Sequence, residues 1–300
     1  MNTPVLFNVF NRPETTSRVF AAIRAARPEQ LFIASDGPRD KRDLIKCTVV
    51  RQIVSQVDWK CEVQTLFRKY NAGCRVALSG NIDWFFEQVP EGIILEDDCL
   101  PSPDFFRFAA AALAAYREVP QVMHVAGVNF QQGVRRGDSD AFFMRTPHIW
   151  GWATWRRAWR HYDVEMRDFR ETVKTPEFQA VLPKLPHFRR QLLKMFSQTA
   201  IGNPNFNTWD CQWHYTVLKS GGVSVNPQVN LVSNIGMTST HQVDEGLCNR
   251  DFGTLPDELN LPREIVCNQE AENLTGCLCY RESWREYLAW LLKYRYAVGK

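Results

Sequence analysis

Apolar and polar positions alternate in blocks through the first hundred residues, and the blocks read as strands and helices in turn. Val5 to Phe10 is apolar and strand-like. Asn11-Arg12-Pro13-Glu14 is a turn and helix start, with Asn11 and Glu14 spaced as a capping box. Val19, Phe20, Ile23 and Ala26 then share one helical face. Leu31 to Ala34 is a second strand, closed by the turn signal Ser35-Asp36-Gly37-Pro38. Ile45, Val49, Ile53 and Val57 repeat every four residues and mark a second helix. Val63 to Phe67 is a third strand, Leu78, Ile82, Phe85 and Val89 a third helix, and Ile93 to Leu95 a fourth strand. Pro101 and Pro103 start a helix that carries Phe105, Phe106, Ala109, Leu113 and Tyr116.

The second half is less regular. Val122 to Ala126 and Phe142 to Arg145 read as strands of mixed direction. Gly151-Trp152-Ala153-Thr154-Trp155 reads as the opening of an aromatic helical stretch. Phe188, Leu192 and Met195 or Phe196 form a further helix, and Trp209, Trp213 and Thr216 or Val217 another. Clear alternation fades beyond residue 245, and the tail from Trp284 to Arg295 mixes aromatics with Lys293 and Arg295.

Strands separated by helices predict an α/β fold, a mostly parallel central sheet flanked by helices. Such sheets bind ligands beyond the carboxyl ends of their strands. That rule brings Phe10-Asn11-Arg12, Ser35-Asp36-Gly37 and Glu96-Asp97-Asp98 to one rim. No Gly-x-Gly-x-x-Gly loop is present, which disfavours a Rossmann dinucleotide site and a methyltransferase.

Composition narrows the classes. The chain has 300 residues, 45% of them apolar, enough for a substantial core. A net charge of +3 and the lack of a long basic run argue against nucleic acid as partner. Nine cysteines are scattered, and Cys277-x-Cys279 lacks the second pair of a zinc site. An odd count without a secretory signal is expected of a reducing compartment, so the expected location is the cytoplasm. No apolar run approaches the roughly 20 residues of a membrane span. The basic aromatic tail could touch an inner-membrane leaflet, although a packed C-terminal helix accounts for it better.

The run from Ile93 to Phe106 carries the chemistry. An apolar strand ends in three consecutive carboxylates, Glu96, Asp97 and Asp98. Their mutual repulsion costs stability. A divalent cation would remove that cost, and carboxylate oxygens suit Mg²⁺ and Mn²⁺. In extended geometry Glu96 and Asp98 point one way and Asp97 the other, so one metal cannot easily take all three. An acidic solvated turn is the bland alternative.

The segment Ile-Ile-Leu-Glu-Asp-Asp-x-Leu-x-x-x-Pro-Asp-Phe-Phe resembles the metal site of inverting GT-A glycosyltransferases. It is similar to N-acetylglucosaminyltransferase I and to bacterial enzymes of surface-polysaccharide clusters, with collinear matches from about residue 4 to about residue 240. The resemblance implies a nucleotide-diphospho-sugar transferase fold. Its catalytic domain would span 1–245, with a nucleotide-binding half over 1–100 and an acceptor half over 101–245. Residues 246–300 would be a C-terminal helical extension. It implies that Arg12 contacts the nucleotide, that Asp36 bonds the base, and that Arg75 lies near the phosphates. It implies Asp97 on the ribose, Asp98 on the metal, and Glu96 facing the sugar pocket. Gly151-Trp152 resembles a turn that walls the acceptor side. Asp210, in Thr208-Trp209-Asp210-Cys211-Gln212-Trp213, resembles the catalytic base of a Trp-Asp-Asp-Trp motif, with Cys211 in place of the second aspartate. His241 matches a late histidine that coordinates metal or diphosphate in several such enzymes.

Each match has a plainer alternative. Arg12 could be solvated at a helix start, Asp36 could make an Asx turn, and Arg75 could pair with a surface acid. Asp210 could be a first-turn acid favoured by the helix dipole. His148, His214 and His241 could be structural, and Trp150, Trp152 and Trp155 could be core.

The expected activity is therefore metal-dependent, inverting transfer of a sugar from a nucleoside diphosphate sugar, UDP favoured, to a hydroxyl of a glycan or lipid-linked glycan, in bacterial surface glycan synthesis. Mn²⁺ or Mg²⁺ is the expected cofactor. Two alternatives stand beside it. A sugar-phosphate nucleotidyltransferase shares the sheet and the metal, but usually has a glycine-rich loop after its first strand. A non-catalytic carbohydrate-binding protein would keep only the fold.

Overall fold

In the computed structural model, which describes residues 1–236 and 247–280, the regular alternation of the first half is found. It runs β1 (Val5–Val9), α1 (Pro13–Ala26), β2 (Gln30–Ser35), α2 (Lys41–Val54), β3 (Glu62–Phe67), α3 (Cys74–Gln88) and β4 (Glu91–Glu96). Then follow β5 (Cys99–Pro101), α4 (Pro103–Ala115), β6 (Val122–Ala126), β7 (Ala141–Met144) and β8 (Trp152–Trp155). The short helices α5 (Arg156–Trp159), α6 (Phe169–Thr172) and α7 (Pro176–Val181) lead to α8 (Pro186–Ala200) and α9 (Asp210–Lys219). The last elements are β9 (Val223–Pro227), β10 (Val232–Asn234) and α10 (Gln269–Cys279).

Eight strands form one sheet in the order β3-β2-β1-β4-β8-β6-β9-β7. The β3-β2-β1-β4 half is parallel. Strand β8 then runs antiparallel to both β4 and β6. The pair β5 and β10 makes a separate antiparallel ribbon, Cys99 opposite Asn234. The fold is thus mixed α/β, a large central sheet flanked by helices.

The two faces of the sheet bury different helices. Phe7, Ile33 and Leu95 pack with α1, α2 and α4. Leu6, Phe32 and Ile94 pack with α3, α5 and α9. Strands buried on both faces need apolar residues at successive positions, which is why β1 and β4 read as continuous runs. On α1, Val19, Phe20 and Ile23 are buried, each worth roughly 1.5–3 kcal/mol of apolar transfer. A third cluster joins α6, α7, α8 and α9 around Phe169, Phe188, Phe196 and Tyr215.

Three local expectations are corrected. The Asn11–Glu14 capping box does not form: the N-cap of α1 is Arg12 without a side-chain cap bond, and Asn11 Nδ2 instead donates to Asp43 Oδ1 at 2.6 Å. The helix marked by Ile45, Val49 and Ile53 is present as α2, with Ile45 and Val49 exposed and Cys47, Val50 and Val54 buried. Asp40 sets that phase, because its carboxylate accepts from the backbone N–H groups of Arg42 and Asp43. Residues Trp152–Trp155 form a central strand, not a helix, and Pro101 ends β5 rather than starting α4. In the expected helical extension, the described residues hold α10 alone, and 247–268 are mostly irregular. His241 and the aromatic tail from Trp284 lie outside the described residues.

Candidate functional site

The carboxyl ends of β1, β2 and β4 meet at one rim, because β1 pairs with both neighbours in register: Val9 lies opposite Ser35, and Asn8 opposite Glu96. This brings together the three segments that the strand rule selects. Strand β4 ends at Glu96, and Asp97 and Asp98 form the turn into β5. The turn corrects the expected strand alternation: Asp97 and Asp98 reach the same group. Arg12 Nη1 lies 3.0 Å from Asp97 Oδ1 and 2.6 Å from Asp98 Oδ2. Asp97 Oδ2 also accepts from the Phe10 N–H at 3.0 Å.

The electrostatics are those of crowded acids. Burial, then Asp98 and Asp97, push the Glu96 carboxyl well above the usual range. Burial pushes Asp97 up to about 6, against the pull of Arg12. Asp210, at the start of α9, also raises Glu96, so the two carboxylates sense each other. Cys74, the first residue of α3, senses both. Although Cys74 is exposed, the protein around it, then Glu96 and Asp210, pushes the thiol up to about 12.

Asp36 and Arg75 are engaged within the protein. Asp36 Oδ1 accepts from Gly37 N at 2.8 Å and Ala72 N at 2.9 Å, while Oδ2 accepts from Asn71 Nδ2 at 2.9 Å and Gly73 N at 3.2 Å. The carboxylate thereby shapes the loop that leads into α3. The close fit of that loop excludes a side chain at position 37, where a Cβ would lie 2.3 Å from the Tyr70 carbonyl carbon. Arg75 Nη2 pairs with Glu165 at 3.3 Å and donates to the Val164 carbonyl. Trp152 is core: it is fully buried and stacks on His124 and Trp209.

Sequence reasoning missed two features. Neither α1 nor α3, which both start at this rim, carries a side-chain cap. Their first N–H groups and dipoles are therefore available to an anion. Gly236, after β10, lies against the acidic turn, where a Cβ would be 2.6 Å from Asp98 Oδ2. The absence of a Ser, Thr, Asp or Asn just before Pro13 and Cys74 was the available signal for the first.

A cation fits the acidic turn. One cationic nitrogen, Nη1 of Arg12, already stands between Asp97 and Asp98. Among the described residues, no three His, Cys, Asp or Glu side chains converge as a complete metal cage. Mg²⁺ is commonly held by one or two carboxylates together with water and substrate phosphates, and Asp97 and Asp98 are two neighbouring carboxylates. Two open grooves of about 510 and 490 Å³ lie elsewhere, around Phe143, Cys267 and Gln269, and touch none of these carboxylates.

No family model and no curated protein matches the chain. Solved structures do. A cytidylyltransferase from Leptospira borgpetersenii serovar Hardjo-bovis (strain JB197) is 10% identical with a TM-score of 0.34, over 53% of this chain and 63% of that one. HddC from Yersinia pseudotuberculosis is 11% identical with a TM-score of 0.33, over 52% and 77%. The 4-diphosphocytidyl-2C-methyl-D-erythritol synthase from Anaerococcus prevotii DSM 20548 is 8% identical with a TM-score of 0.33, over 58% and 78%. The chain spans less than two thirds of the first of these. The expected glycosyltransferase activity is corrected at this point: none of the three is named as a glycosyltransferase. Among the described residues, no helix is long and apolar enough to cross a membrane.

Proposed function

We propose that the chain is a cation-dependent nucleotidyltransferase, joining the nucleoside monophosphate unit of a nucleoside triphosphate to a sugar phosphate. The observation that carries this reading is the composition of one rim: the Asp97–Asp98 turn, Arg12, and the uncapped starts of α1 and α3. A triphosphate needs all of these, namely a cation site, a mobile positive charge and backbone N–H donors. Arg12 supplies the basic residue after the first strand, although the loop has no glycine.

Asp98, with Asp97 beside it, would hold Mg²⁺ or Mn²⁺, which supplies charge neutralisation to the phosphates. The rest follows from the chain's own groups. An oxygen of the sugar phosphate attacks the α-phosphorus. The bond from that phosphorus to its β-bridging oxygen breaks, and the electron pair leaves with pyrophosphate. The attacking oxygen is already anionic at neutral pH, so no residue need take a proton. Arg12 and the two helix starts would stabilise the charge that builds on the leaving pyrophosphate. Asp210 would accept a hydrogen bond from a sugar hydroxyl on the far side of the cleft, near Glu96. Holding both phosphates in line accounts for much of the acceleration.

The test is incubation with each nucleoside triphosphate, a panel of sugar phosphates and Mg²⁺ or Mn²⁺. Stoichiometric pyrophosphate and a nucleotide sugar are expected from at least one pair. No pyrophosphate from any pair, with folded protein, overturns the reading.

A further inference from the structure

The contact between Arg12 and the acidic turn is unusual in its geometry. Arginine normally grips a carboxylate with two nitrogens in a fork. Here a single nitrogen, Nη1, serves both Asp97 at 3.0 Å and Asp98 at 2.6 Å. The guanidinium behaves as a point cation between two carboxylates. The Arg12 side chain keeps 38% of its surface exposed, whereas Asp97 and Asp98 keep 7% and 11%. The acids are fixed in the wall, and the arginine is the exchangeable partner. Its backbone is the N-cap of α1, where no side chain serves the first N–H groups. A released Arg12 side chain therefore stands at the mouth of an anion-receptive helix end.

We propose that Arg12 is a resident counter-cation of the Asp97–Asp98 turn, that a divalent cation displaces it, and that the freed guanidinium turns to the phosphates of the incoming substrate. Cation and polyphosphate then load as a coupled pair. Without a cation, Arg12 neutralises the acids and is withheld from phosphate. With one, the acids are satisfied and the arginine is released. The inference rests on the acidic turn being the cation site of the proposed function, and it does not depend on which transfer the enzyme performs.

Mn²⁺ binding, read from the electron paramagnetic signal of free Mn²⁺, tests it without any turnover. Without nucleotide, Arg12→Gln should bind Mn²⁺ about tenfold tighter than wild type, because a competitor with the worth of a part-exposed ion pair has gone. Arg12→Lys keeps a point charge and should stay within about threefold of wild type, a difference under 1 kcal/mol. Inorganic pyrophosphate should bind wild type more tightly when Mn²⁺ is present, and this coupling should shrink in Arg12→Gln. Unchanged or weaker Mn²⁺ binding in Arg12→Gln overturns the proposal, as does Arg12→Lys binding as tightly as Arg12→Gln. Asp98→Asn separates the two layers. If it binds Mn²⁺ like wild type, the cation site itself is wrong; if it loses Mn²⁺ while Arg12→Gln is unchanged, only the exchange is wrong.

Discussion

Trp213 Nε1 donates to His124 Nδ1 at 3.1 Å, and that one bond fixes the protonation of a fully buried imidazole. An indole nitrogen can only donate, so Nδ1 must be bare. The proton sits on Nε2, which donates to the His148 carbonyl at 2.9 Å. A second proton on the ring would face the indole N–H directly.

Three buried histidines make loss of stability in acid a clear expectation. Burial lowers His124 to about 3, His148 to about 4 and His214 to about 3, from an ordinary 6.5. The unfolded chain therefore binds more protons between pH 6.5 and about 4, and stability falls as pH falls through that window. Each histidine contributes a slope of about 1.4 kcal/mol per pH unit there. Asp97, raised to about 6, has the opposite sign: its folded form holds a proton that the unfolded form releases above pH 3.8. Urea melts of wild type and His214→Gln from pH 7 to pH 4 isolate the histidine effect. The variant should show the shallower slope; parallel curves would remove His214 from the account.

Asp36→Ala should destabilise the chain by about 2–4 kcal/mol, since a buried carboxylate that serves several backbone donors cannot be replaced by water. It should also raise hydrogen exchange at Ala72 and Gly73, whose N–H groups it accepts. Ordinary protection at those two amides would contradict the role given to Asp36.

Gly151→Ala combines two penalties. The residue has φ +63°, and an added Cβ would lie 2.7 Å from a Val232 methyl. A loss of about 2–3 kcal/mol is expected in chemical denaturation, and a loss below 0.5 kcal/mol would show that β10 yields easily.

Asp210→Asn keeps the shape at the start of α9 and removes a charge that Glu96 senses. Nucleotide binding should stay within about threefold, under 1 kcal/mol. Pyrophosphate formation should fall through a higher KM for the sugar phosphate. An unaltered KM would place the sugar elsewhere.

Much of the rim was legible in the sequence. Apolar strands alternating with helices are enough to put Arg12, Asp36 and Glu96-Asp97-Asp98 at one edge, because parallel pairing sends every carboxyl end the same way. Trp152–Trp155 was not legible as a strand, since a central strand buried on both faces has no alternation to display. The repeat from Ile45 placed α2, although four-residue spacing marks a helix without saying which face is covered, and Ile45 and Val49 are exposed. Asp36 shows its turn in the sequence, but its service to a loop 36 residues further on is a tertiary fact. The glycosyltransferase reading rested on resemblance around the acidic segment, and an acidic turn that suits one phosphate chemistry suits several.

Beside the Asp98 carboxylate that Arg12 reaches, the lining is main chain. At Gly236 even a methyl group would collide with Asp98, so nothing larger than hydrogen is tolerated at that point of the lining. Evolutionary tinkering with what enters the cleft is thereby steered to the other bank, around Cys74 and Asp210. Directed changes of substrate preference have most room there.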